Sequence, residues 1–285
     1  MISNKGKLYI VATPIGNLDD LTYRAVQVLK SADLVAAEDT RHTRSLLAKY
    51  GIQARLVSVH EHNEHRLRNR LVRVLNEGES VALVSDAGTP LISDPGFGLV
   101  NAASDNGIEV IPVPGPSAVI CALSVSGLAT DRFGFYGFLP RNRSSRQTFL
   151  GTLLGEPGTL VFYESCHRIV DCLEDFAGIF PGGRKLVIAR EMTKRHETIV
   201  RTVVGDALER VLEDPYMRKG EFVLLVEGEG GKRRPEQLST EQVEILALLL
   251  EECSVKKSSE IVSRLTGVRR KLVYSTALEI SHLKS

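Results

Sequence analysis

Short apolar runs that alternate with amphipathic stretches, each closed by glycine or proline, constrain this chain's fold more than any other feature. Leu8–Ala12 is apolar and runs into Pro14 and Gly16. Leu21, Ala25, Val28 and Leu29 then recur at helical spacing. Asp33–Ala37 predicts a second strand, His42–Tyr50 a helix stopped by Gly51, and Arg55–Val59 a third strand. Glu64–Glu77 places Leu67, Leu71, Val74 and Leu75 on one helical face and ends at Gly78. Val81–Ser85 and Glu109–Val113 follow as strands with a helix between them. Such alternation predicts an α/β layer built on a largely parallel sheet, over residues 1–115.

The three prolines of PVPGPSAV (112–119) suggest a hinge, and Ser117–Ser126 reads as the helix that opens a second unit, 116–230. Its strands, Phe133–Leu139, Thr159–Tyr163, Lys185–Arg190, Thr198–Val204 and Phe222–Val226, have fewer helices between them, which predicts a mixed sheet. GEGGKRRPE (228–236) is a polar linker. Beyond it, 236–285 reads as helices only. Ser239 and Gln242 fit a capping box, Ser258 and Ser259 are candidate caps for a second helix, and Gly267 precedes a third at Arg269–Ile280. Residues 254–285 hold seven Lys/Arg against two Glu. This is either a helix-turn-helix whose Arg269, Arg270 and Lys271 meet phosphates, or a small helical subdomain with a solvated basic face.

Composition excludes several classes. With 43% apolar and 25% charged residues among 285, the chain is globular rather than disordered. Its net charge of +1 supplies no global field for nucleic acid, so such contacts must be local. The absence of Trp and the 6% aromatic content argue against a stacking platform for single strands. No apolar run approaches the about 18 residues of a membrane span, and no signal peptide is visible, so a cytoplasmic protein is expected. Cys121, Cys166, Cys172 and Cys253 form no CxxC pair and read as small buried thiols. There is no GxGxxG after a strand, no GxxxxGK[ST], no HExxH and no GxSxG.

Chemistry is left to the turns. TPIGN (13–17), SDAGTPLISDPG (85–96) and PGPSA (114–118) each follow a predicted strand, where ligands of open α/β sheets sit. The same residue types serve ordinary turns, but three such turns in one half-chain favour a small-molecule site. AEDTRHT (37–43) brings Glu38, Asp39, Arg41 and His42 to a strand–helix junction. HEHNEH (60–65) brings His60, His62 and His65 together with Asn63. General-base or substrate-orienting roles suit these side chains. Their spacing fits no standard metal site, and no metal is expected. FYESCHR (162–168) and AREMTKRHE (189–197) end later strands, and Arg141, Arg143 and Arg146 fall in one short loop suited to phosphate.

Taken in order, TPIGNLDDLT, AEDTRHT, HEHNE, SDAGTPLISDPG, PGPSA, FYES-HRI and AREMTK-HE resemble the ribosomal RNA small subunit methyltransferase I family of the tetrapyrrole-methylase superfamily. The likeness covers residues 7–228, and the tail resembles that family's helical C-terminal domain. It implies a two-domain α/β methylase fold with S-adenosylmethionine in the interdomain cleft. It also implies a homodimer, and 2′-O-methylation of a cytidine ribose in the decoding region of small-subunit ribosomal RNA, free or in the assembled subunit. Position in the superfamily's motifs points to Pro14, Asp86, Gly88, Thr89, Ser117, Ala118, Tyr163, Met192 and Glu221 as cofactor contacts. The base would lie among Glu38, Asp39 and His62, with Arg41, Asn63 and Lys194 orienting sugar and phosphate. Arg141, Arg143, Arg146, Arg269, Arg270 and Lys271 would bind RNA. A tetrapyrrole methylase shares this fold and is the principal alternative. A ligand-sensing DNA-binding regulator and a metal-dependent hydrolase using His60, His62 and His65 are more distant ones.

Overall fold

The computed structural model describes residues 5–59, 63–229 and 238–283. The chain divides into two compact units, Met1–Glu229 and Gly230–Ser285. Both sheets lie in the first, so the expected boundary at 115/116 falls inside it.

The first sheet is built from β1 (Lys7–Val11), β2 (Leu34–Ala37), β3 (Leu56–Ser58), β4 (Val81–Val84) and β5 (Glu109–Val113). Its order is β3-β2-β4-β1-β5, and every pairing is parallel. Parallel strands are covered on both faces, and the side-chain alternation shows it. Val81 and Leu83 of β4 pack toward α3 (Glu64–Asn76) and α4 (Phe97–Asp105). Ala82 and Val84 pack toward α1 (Tyr23–Ser31) and α2 (Thr40–Lys49). The connection leaving β1 therefore goes to one face and that leaving β4 to the other. Between these two neighbours lies the topological switch point, where the carboxyl ends of the strands open a crevice.

The joining helix α5 spans Ala118–Ser126. The second sheet has β6 (Phe133–Phe138), β7 (Thr159–Ser165), β8 (Lys185–Arg190), β9 (Thr198–Val203) and β10 (Glu221–Val226). Its order is β6-β7-β10-β8-β9, with β6 and β7 parallel and the other pairs antiparallel. The expected mixed sheet is thus present. One face, carrying Leu160, Phe162, Ile188 and Leu224, packs on α6 (Arg143–Thr152), α7 (Ile169–Ile179) and α8 (Val204–Glu213). The other, carrying Val161, Val187, Val223 and Leu225, packs on α5 and on Ile15 and Met192. The last two come from turns, so this core reaches directly into the turn region.

Four expectations change. The 112–119 segment is tied down: the Thr89 hydroxyl donates to the Pro116 carbonyl at 3.1 Å, and a β-carbon at Gly115 would lie 2.9 Å from that of Ala12. Arg143 and Arg146 belong to α6 rather than to a loop. Cys172 alone among the four free cysteines is fully buried. In the second unit, α9 (Thr240–Glu252) begins with the expected Ser239/Gln242 capping box, and α11 is Arg270–Leu283. The cap of α10 (Val255–Thr266), however, is Ser254. Ser258 and Ser259 are buried within α10, where their hydroxyls donate to the Leu249 and Val255 carbonyls. Among the described residues no helix is long and apolar enough to cross a membrane.

Candidate active site

The turns at the switch point interlock. The Thr13 and Gly88 backbones exchange hydrogen bonds of 2.8 and 3.1 Å, and the Thr13 hydroxyl donates to the Ser85 carbonyl at 3.1 Å. The turn after β8 joins them, because the Asn17 amide donates to the Thr193 hydroxyl at 3.0 Å. Gly16 has to be glycine for that approach, since a β-carbon there would collide with Lys194 Cγ.

Between these turns and the second sheet lies a cavity of about 350 Å³. Ile15, Ile92, Phe138, Tyr163, Met192 and Val223 supply its apolar wall. Asp94, Glu164, Glu191 and Glu221 supply carboxylates, with Lys194 as the cation. A largely apolar concavity with a few convergent polar groups is the usual form of a small-molecule site.

Backbone strain gathers at the same place. All four described non-glycine residues with positive φ occur in two turns: Leu91 (73°) and Ser93 (69°) after β4, and Glu191 (49°) and Thr193 (64°) after β8. Conformations of this kind cost on the order of 1–3 kcal/mol each and persist where the surroundings over-determine them. Here Ser93 Oγ would lie 3.1 Å from a β-carbon at Gly137 on β6, so the first turn is wedged against the second sheet.

Charge is arranged unevenly. Lys194 Nζ bridges Glu191 Oε1 and Glu221 Oε2, both at 2.8 Å, and Glu191 Oε1 also accepts the Glu221 amide at 3.0 Å. Burial pushes the Glu191 carboxyl up, but these bonds outweigh it and hold the group below its ordinary range. The converse holds for Lys194, which burial lowers and the two carboxylates raise further. Glu164 is fully buried and accepts from Arg168 Nη2 at 3.0 Å and from the Ser165 amide at 2.8 Å. Burial still carries its carboxyl above the ordinary value. Asp94 is pushed up to about 6, chiefly by burial and then by the charges of Glu38 and Asp86, against a hydrogen bond with Ser85 that lowers it. The Tyr163 phenol is pushed up to about 12 by burial and by Asp94.

Of the expected cofactor contacts, Gly88, Thr89, Ser117, Ala118, Tyr163, Met192 and Glu221 line this cavity, as does Lys194. Pro14 and Asp86 do not: Pro14 is buried within its turn, and Asp86 Oδ1 accepts the Asp39 amide at 3.0 Å. Glu38, Asp39 and Arg41 lie just outside. Asp39 caps α2 through the Arg41 amide and pairs with the Arg41 guanidinium at 3.1 Å. Those bonds hold its carboxyl down at about 2, which makes it a poor base at neutral pH. Asn63 donates to the Ser58 carbonyl at 3.0 Å. His60 and His62 lie outside the described residues. Arg146 is buried and donates to Asp175 Oδ2 at 2.6 Å, so it is a core ion pair and not an RNA contact. Arg143 is exposed but also reaches Asp175, at 3.1 Å. Arg141, Arg269, Arg270 and Lys271 are exposed.

Asp94, Glu164, Glu191, Phe138 and Ile15 are site residues that reading the sequence did not single out. Asp94 sits inside SDAGTPLISDPG, and the only available signal was an acid within a turn already suspected.

Comparison with known proteins agrees with this architecture. The family model described as Tetrapyrrole (Corrin/Porphyrin) Methylases matches residues 7–208, and one described as RsmI C-terminal HTH domain matches 236–281. The protein named ribosomal RNA small subunit methyltransferase I from Escherichia coli O157:H7 is 49% identical over 97% of this chain and 96% of its own. Its namesake from Haemophilus influenzae is 47% identical over 98% of each. Among solved structures, a cobalt precorrin-4 methyltransferase superposes with a TM-score of 0.55 at 21% identity, covering 78% of this chain and 94% of that one. A diphthine synthase does so at 0.60 and 14%, covering 78% and 90%. These two show a shared fold. With relatives close to half identical along nearly its whole length, the chain belongs to the tetrapyrrole methylases, and among them to the ribosomal RNA small subunit methyltransferase I family.

Proposed function

We propose that this protein methylates the ribose 2′-hydroxyl of a cytidine in the decoding region of small-subunit ribosomal RNA, using S-adenosylmethionine. The observation that carries the reading is 47–49% identity, over 97–98% of this chain, with proteins named for small-subunit ribosomal RNA methylation, the tail included.

The cavity's donor set suits the cofactor. Glu164, Glu191 and Glu221 stand against Lys194 in the lining and Arg168 behind it, a balance that suits a ligand bearing an ammonium and a sulfonium. The apolar wall matches an adenine and a methionine stem. Ser117, Thr89 and the Gly88 backbone would hold its polar ends, and Tyr163 and Met192 its flat and aliphatic parts. When bound, the cofactor supplies an electrophilic methyl group. The chain's own task is then to seat a ribose hydroxyl in line with that group, to exclude water and to receive a proton. Pre-alignment of two reactants is worth up to about 7–11 kcal/mol in favourable systems. Lys194 in the cavity wall, with Arg41 and Asn63 outside it, would orient sugar and phosphate. Arg141, Arg143 and the basic Arg269–Lys271 stretch would supply phosphate affinity. The working form would be a cytoplasmic homodimer, acting on rRNA or the assembled small subunit.

Incubating the protein with labelled S-adenosylmethionine and, in parallel, isolated small ribosomal subunits and a uroporphyrinogen tests the reading. Label is expected in the RNA alone. Label in the macrocycle would mean that the fold's other known chemistry operates here.

A further inference from the structure

We propose that Asp94 is the general base of the reaction, the group that takes the proton of the attacking hydroxyl. The inference rests on the hydroxyl-methylation reading above.

Four carboxylates line the cavity, and three are committed. Glu164 is held by Arg168, and Glu191 and Glu221 by Lys194. An oxygen already engaged by a cation takes a proton only by giving up that contact. Asp94 carries no ion pair among the described residues. Its polar neighbour is the Ser85 hydroxyl, and the charges acting on it are Glu38, beyond β2, and Asp86, beyond β4. From β7 the Tyr163 phenol faces it, and the Glu191–Lys194–Glu221 group occupies the cavity's second-sheet wall. Like charges and partial burial both favour the protonated acid, which is the product of the step.

Placement supports the same role. Asp94 follows Leu91 and Ser93, held at positive φ, and precedes Gly96 (φ 124°), where a β-carbon would lie 2.6 Å from Leu83 Cδ2. The turn is thus anchored to the first sheet at Leu83 and to the second at Gly137. A base held rigidly at the mouth of the switch point meets the geometric demand on general bases. Asp39 is tied to Arg41 on the surface, and Glu38 does not reach the cavity wall.

The step balances. The hydroxyl O–H bond breaks and its proton goes to an Asp94 oxygen. The hydroxyl oxygen bonds to the methyl carbon as the carbon–sulfur bond breaks with its electron pair to sulfur. A carboxylate and a sulfonium become a neutral acid and a neutral thioether, so charge is annihilated in a partly buried space.

The test uses the full chain with Asp94→Asn, Asp94→Glu and Glu38→Gln. Single-turnover methyl transfer to small subunits should fall by about 10²–10⁴-fold in Asp94→Asn. Affinity for S-adenosylhomocysteine and for RNA, measured by calorimetry and filter binding, should stay at the wild-type value. Asp94→Glu should restore part of the rate. Wild-type rate should climb with pH and level above about 6. Carbon-13 NMR of the Asp94 carboxyl should show the matching titration, displaced to lower pH in Glu38→Gln. Near-wild-type rate in Asp94→Asn would overturn the assignment. So would loss of S-adenosylhomocysteine binding, which would make Asp94 a cofactor contact. Absence of transfer to RNA by the wild type would instead overturn the reading on which the assignment stands.

Discussion

A β-carbon at position 220 would lie 2.5 Å from Cγ and Cδ of Glu191, and Gly220 itself sits at φ 92°. Gly220→Ala should therefore push Glu191 off Lys194 and cost about 1–3 kcal/mol in chemical unfolding, with weakened S-adenosylhomocysteine binding. Unchanged affinity would mean that the Glu191–Lys194–Glu221 group is not part of the ligand wall. Arg146→Ala addresses the opposite kind of residue. It strips one donor from the buried Asp175, which keeps Arg143 Nε and Gln147 Nε2. The expected loss is about 3 kcal/mol of stability, the low end for a broken buried pair. The salt dependence of RNA binding should not move. Asp94 also has a signature in stability. Its carboxyl is raised from 3.8 to about 6 in the fold, so the native state binds that proton more tightly than the unfolded chain. Its contribution is full below about pH 4 and is lost as pH rises through about 6. Stability measured across that window should fall in the wild type and fall less in Asp94→Asn.

At the scale of elements, short apolar runs and glycine stops were a good guide. β5 and β8, short runs rich in apolar residues, match their expected ranges, and α3, with one buried face and Gly78 beyond its end, falls within a residue of its own. What pattern could not show was pairing across the chain. Nothing local distinguishes Arg146 from Arg143. Only the fold of α7 against α6 brings Asp175 beneath one and beside the other. Asp94 was hidden for the same reason, since its neighbours Glu38 and Asp86 belong to different strand ends. Likewise, a serine at a helix start and a serine inside a helix look alike in sequence. Ser254 caps α10 by accepting the Lys257 amide. Ser254→Ala should destabilise the second unit by about 1 kcal/mol, read from its own melting transition.

For the whole molecule, the proposed function assigns the cofactor to the first compact unit and part of the phosphate affinity to the second. Truncation after Glu229 should leave S-adenosylhomocysteine affinity unchanged. It should also flatten the salt dependence of RNA binding, by about 0.9 in slope for each duplex phosphate the tail had neutralised. Equal weakening of both would assign the tail a structural role. Cofactor at a hundredfold excess over its dissociation constant should stabilise the first unit by about 2.7 kcal/mol and leave the second unit's transition in place.

If this cavity directs a methyl group onto a ribose oxygen of small-subunit RNA, the product nucleotide will carry the mark. Nucleoside mass spectrometry of small subunits methylated in vitro reads it, with the modified position mapped by primer extension. A single 2′-O-methylcytidine in the decoding region is the predicted result. A methyl group on a base, or on no RNA nucleotide at all, would contradict it.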